Sequence, residues 1–111
     1  MDERQGRAVL RARFEAAGLT IVEDHPLDVD GHAVVADGFD AARGIGYEFL
    51  TREGGDHAEF TPAAVAAIEA RARAGGISLF LVDELDVGGP EELAAIADRF
   101  LDTLVRRGRL T

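Results

Sequence analysis

Six consecutive residues, Ile77-Ser78-Leu79-Phe80-Leu81-Val82, constrain this chain more than any other feature. They are apolar apart from one serine, are rich in strand-forming side chains, and lie between Gly75-Gly76 and Asp83-Glu84. The run is too short for a helix and shows no alternation of polar and apolar positions. It therefore reads as a strand covered on both faces, and hence as a central one. A sheet that holds such a strand needs apolar helix faces on both sides, so the rest of the sequence must supply them.

It supplies three. Val9, Leu10, Phe14 and Ala17 recur at helical spacing over residues 3–17, ahead of a stop at Gly18. Thr61-Pro62 places a capping hydroxyl before a proline at the first helical position, and that helix should run to about Ala74. Gly88-Gly89-Pro90-Glu91-Glu92 opens a third, with the stripe Leu93, Ile96, Ala97, Phe100, Leu101, Leu104 and Val105. Residues 19–22, 33–36 and 45–51 read as further strands, with polar 23–26 as a loop. The connection at 37–44 is too short for a crossover helix, which predicts an antiparallel hairpin between 33–36 and 45–51. Residues 52–59 are polar and glycine-bearing, hence a loop. The prediction is one α+β domain over residues 1–111, in the order α-β-β-β-α-β-α, with a four-stranded mixed sheet flanked by helices.

Composition excludes whole classes of chemistry. All 12 basic residues are arginine and there is no cysteine, so disulfides, thiolate catalysis, cysteine zinc sites, Schiff bases and a lysine general base are ruled out. The bias fits a GC-rich, bacterial-like genome. Ser78, the sole serine, lies in an apolar run without the flanking glycines of a nucleophile elbow. No glycine pattern opens a helix as a dinucleotide site requires. The charge of −9 disfavours free nucleic acid and favours a basic protein partner. The lack of cysteine, of a membrane-length apolar run and of an apolar stretch behind Met1 predicts a cytoplasmic protein with no membrane partner.

The acids are concentrated. Asp37, Asp40, Glu48, Asp56, His57 and Glu59 fall around the predicted hairpin and the loop after it, a hard donor set suited to magnesium, manganese or calcium. Asp37, Glu48, Asp56 and His57 are the metal candidates. Asp37 and Asp40 also have a turn explanation, since aspartate beside glycine bonds its own backbone. Glu48 has no such explanation: a carboxylate inside an apolar strand is costly unless paired or exposed. His25 and His32 read as loop residues. Asp83, Glu84 and Asp86 end the apolar strand and join the acidic surface if that strand lies beside the third.

The order α-β-β-β-α-β, with Asp37 or Asp40 after the second strand and Glu48 midway along the third, resembles the PD-(D/E)XK nuclease-like superfamily. The resemblance implies a restriction-endonuclease-like core in which Asp37 and Glu48 converge on a divalent metal, with Glu15 as an extra acid. The lysine of the family motif falls at Leu50 here, and the chain contains no lysine to replace it. Arginine stabilises charge but accepts no proton. The resemblance then implies a scaffold without cleavage.

The expected function is a non-catalytic acidic binding or regulatory module, adaptor- or inhibitor- and immunity-like, with no cofactor. Its partner surface would be Asp37, Asp40, Asp56, Glu59, Asp83, Glu84 and Asp86, set against a basic protein. A second copy of the chain is a further candidate partner. The competing class is a magnesium- or manganese-dependent nuclease or phosphodiesterase built on Asp37, Glu48, Asp56 and His57.

Overall fold

The computed structural model describes every residue except Gly54, and every side chain but those of Asp56 and His57. Helix α1 (Glu3–Ala16) begins at a reciprocal cap, in which Asp2 accepts from the Gln5 amide at 2.8 Å and Gln5 accepts from the Asp2 amide at 3.1 Å. Strands β1 (Val22–Val29), β2 (His32–Asp40) and β3 (Ile45–Leu50) follow. A single helical turn, α2 (Asp56–Glu59), precedes α3 (Pro62–Arg73), which Thr61 caps as the sequence predicts. Strand β4 (Ser78–Asp83) runs into a 3₁₀ turn (Glu84–Asp86), and α4 (Pro90–Arg106) is the last helix.

The sheet has the order β1-β2-β3-β4, with antiparallel β1–β2 and β2–β3 pairs and a parallel β3–β4 pair. Helices α1 and α4 cover one face, where Leu10, Phe14, Ile45, Tyr47, Phe49, Leu93, Ala97 and Leu101 form one core. Helix α3 covers the other, over Val29, Val34, Ala36, Phe39, Leu50, Phe60, Ala64 and Ile68. Arg13 clamps α1 to α4 through a two-pronged pair with Asp98, at 2.8 and 2.9 Å. Gly6 lets α1 lie close on the sheet: a Cβ there would stand 2.6 Å from the Phe49 ring.

The structure corrects four expectations. Strand β4 is an edge, not the centre of the sheet. Its apolar run reports helices over both faces, and face burial does not depend on having a strand on each side. Phe80 and Phe100, which lie at this edge, are accordingly half-buried, and Val105 is 46% exposed. Strand β1 begins where the predicted first strand ends and contains the polar segment read as a loop. The acids of that segment are tolerated because β1 is the other edge, with most of its side chains in water. His25 and His32 therefore lie in strands. Finally, the β2–β3 hairpin forms through Gly38, Phe39 and Asp40, while residues 33–36 pair with β1 instead.

Candidate functional site

The hairpin is where the predicted site residues meet. Strands β2 and β3 pair only from Asp40↔Ile45 to Gly38↔Tyr47, after which β3 follows β4 and leaves β2. Beyond that point the amides of β2 would face no carbonyl. The Asp37 amide donates to Glu48 Oε1 at 2.8 Å, and the Val35 amide donates to Glu59 Oε1 at 2.5 Å. In return the Phe49 amide of β3 donates to Asp37 Oδ2 at 2.8 Å. Three carboxylates thus continue the ladder that the departing strand breaks off. This explains Glu48 in an otherwise apolar strand: buried amides need acceptors, and a side chain supplies one where the backbone cannot.

The same point bends β2. Ala36 belongs to the core under α3, whereas a Cβ on Gly38 would strike the Tyr47 ring of the opposite core at 2.3 Å. Residues two apart along a regular strand share a face, so the strand turns over at Asp37. Asp24, which with Asp37 falls in the gap of the β1–β2 register between Glu23↔Gly38 and His25↔Ala36, has φ of 52°, a left-handed conformation in which aspartate is among the more tolerant residues.

Arg7 of α1 closes this region from above. Its guanidinium lies 3.0 Å from Asp24, 3.6 Å from Glu23 and 3.7 Å from Asp37 Oδ1, and it donates to the Asp37 carbonyl at 3.3 Å. Beside it the Tyr47 hydroxyl is buried without a hydrogen-bond partner. Burial above all, and then the charges of Glu23 and Asp37, push this phenol above its usual range, so it stays neutral.

Asp40 closes the other end of the hairpin, accepting from the Thr20 amide at 2.8 Å and the Arg43 amide at 3.0 Å. Burial works to raise its pKa, but the Thr20, Arg43 and Ala42 amides and the Arg43 charge outweigh it. The carboxyl is held below the ordinary carboxylate range. The turn reading of Asp40 thus describes its bond to Arg43; that of Asp37 does not describe its bonds.

Of the metal set, the described side chains are Asp37 and Glu48. They are brought together and buried, with Arg7 placing a positive charge beside Asp37. The side chains of Asp56 and His57 lie outside the described residues. No group of three histidine or acidic side chains among the described residues could hold a metal ion. Glu15, the extra acid of the family resemblance, instead pairs with Arg11 at 3.3 Å on the exposed side of α1.

The partner set divides differently. Asp37 and Asp40 are 5% and 3% exposed, which takes them off any surface a partner could touch. Their bonds to backbone amides are what draw them inward. Glu59 is half-buried at Val35. Asp83, Glu84 and Asp86 lie where β3 and β4 end together, Leu50 being in register with Asp83. Arg52 reaches Asp83 at 3.0 Å, and its amide donates to Glu84 at 2.6 Å. The 3₁₀ turn has three residues per turn and so sends successive side chains in three directions. Glu84 turns toward Arg52 while Leu85 is 69% exposed and Asp86 is exposed. Glu91 and Glu92 open α4 nearby and are exposed too. Leu85 is the residue that sequence reasoning missed. Its signal was an isolated leucine between acids, outside every periodic stripe.

No protein-family model, curated protein or solved structure matches the chain. No helix among the described residues is long and apolar enough to cross a membrane.

Proposed function

We propose that this protein is a non-catalytic, acidic binding module of the cytoplasm. It would dock on a basic protein through the strand-end face formed by Glu84, Leu85, Asp86, Glu91 and Glu92. The observation that carries this reading is Leu85, 69% exposed between Glu84 and Asp86 in the turn that ends β4. An exposed apolar side chain flanked in sequence by acids fits an anchor for a pocket, with charge nearby to steer the approach. The net charge of −9 makes a basic surface the favoured counterpart.

The nuclease-like reading draws support from one observation, the meeting of Asp37 and Glu48. Both carboxylates there accept backbone amides, Arg7 stands beside Asp37, and Leu50 occupies the lysine place of the family motif. A scaffold of that ancestry without cleavage is the version consistent with these contacts.

The test starts from capture of a partner out of host lysate by the full chain, followed by kinetics with the purified partner. Association should slow between low salt and about 0.5 M, because screening shortens to a few ångströms there. Asp86→Arg should slow it further, and Leu85→Ala should speed dissociation. A partner indifferent to salt and to both substitutions would remove this face from the function. Magnesium- or manganese-dependent cleavage of DNA or RNA, lost in Glu48→Gln, would replace the reading with the catalytic one.

A further inference from the structure

The two edges of the sheet are built differently. Along β1 the edge carries Glu23, Asp24, Pro26 and Asp28, with the left-handed Asp24 interrupting it. Charges, a proline and a local break are the devices by which an edge resists pairing with another strand. Strand β4 has neither a proline nor a break, and its only charge is at its end. Its sequence is Ser-Leu-Phe-Leu-Val-Asp. No strand among the described residues pairs with its outer side.

We propose that the outer edge of β4 is an interface whose occupant is β4 of a second copy of this chain, paired antiparallel about a two-fold axis. The charge along the edge selects that occupant. Arg73, Arg107 and Arg109 line a cleft at the start of β4, over Leu79, Phe100 and Leu104. Arg109 is held in place by Gly76 and Ser78, at 2.6 and 3.4 Å. Asp83, Glu84 and Asp86 stand at the other end, about 20 Å away along a six-residue strand. Antiparallel pairing lays the acidic end of each copy on the basic end of the other, twice. Parallel pairing would oppose like charges.

The side chains then set the register. Joining like faces of two sheets puts the two-fold axis through a residue position, because alternate side chains point to opposite faces. An axis at Phe80 places that ring beside its own copy, with Ser78 opposite Val82 and Leu79 opposite Leu81. Phe80 already packs on Phe100 with ring centres 5.0 Å apart, and both rings are half-buried in the single chain. The product is a closed two-fold dimer with one continuous sheet, whose outer edges are the two guarded β1 strands.

The proposal shares Glu84 and Asp86 with the strand-end docking face but needs no second protein, and its test uses the purified chain alone. Sedimentation velocity over a range of concentrations should show a reversible species of twice the chain mass. Phe80→Arg sets two cations against each other across the axis. Arg107→Glu, at an exposed position, reverses charge at the basic end. Each should raise the dimer dissociation constant at least tenfold, about 1.4 kcal/mol. Far-ultraviolet circular dichroism shows whether Phe80→Arg still folds; if it does not, Arg107→Glu decides. A wild-type chain that stays monomeric at every concentration would overturn the proposal. So would a dimer that Arg107→Glu leaves intact, since that dimer would use another face.

Discussion

Replacing Glu48 tests the claim that carboxylates complete the β2–β3 ladder. Glu48→Ala leaves the Asp37 amide, now 2.8 Å from Glu48 Oε1, without that acceptor inside a region that is 1% exposed at Glu48. An orphaned buried donor costs about 1–3 kcal/mol, and loss of the packed side chain adds to it. With a urea dependence of roughly 1–3 kcal/mol per molar for a small domain, the unfolding midpoint should fall by about 1 M. Glu48→Gln keeps a carbonyl oxygen at the same place and should cost less than half as much. A pair held apart for a metal would behave in the opposite way. Removing one of two neighbouring buried negative charges would then stabilise the metal-free protein, and alanine would do so as well as glutamine. Equilibrium unfolding of the three proteins in metal-free buffer separates the two cases. An alanine variant with the wild-type midpoint would refute the ladder account.

Tyr47→Phe removes a buried hydroxyl that has no partner, so the variant should be as stable as the parent or more stable, by up to about 1 kcal/mol. A clear loss in a thermal melt would show that the hydroxyl has a bonding role. Asp40 governs part of the acid limb. Its folded pKa is lowered, so its contribution is present above the unfolded carboxylate value of about 3.9 and is lost as pH falls through the folded one. Asp40→Asn should therefore be less stable than wild type at neutral pH, and the gap should narrow below about pH 4. A gap that stays constant through that range would mean that the Asp40 charge is not what stabilises the hairpin end.

The element order was legible because it depends on local signals. Thr61-Pro62, the stripe from Leu93 to Leu104, and the apolar run before Asp83 each specify a periodicity or a cap within a few residues. The order α-β-β-β-α-β-α and the mixed four-stranded sheet follow from those signals and from the short hairpin connection. Glu48 stood out in the sequence as a residue in need of an explanation, and the structure supplies one at Asp37.

Strand order and side-chain role were decided only by tertiary structure. An apolar strand reads alike at a sheet's centre and at an edge roofed by two helices, so β4 could not be placed from its own residues. Polar β1 read as a loop because an edge strand in water carries the same side chains as a loop. The fates of Asp37, Glu48 and Glu59 depend on where β3 parts from β2, which leaves the Asp37, Val35 and Phe49 amides in need of acceptors. No residue type marks that point along the chain. A carboxylate's identity says only that it can accept hydrogen bonds and carry charge. Which backbone amides lack a carbonyl partner is a property of segments brought together from 11 to 24 residues apart.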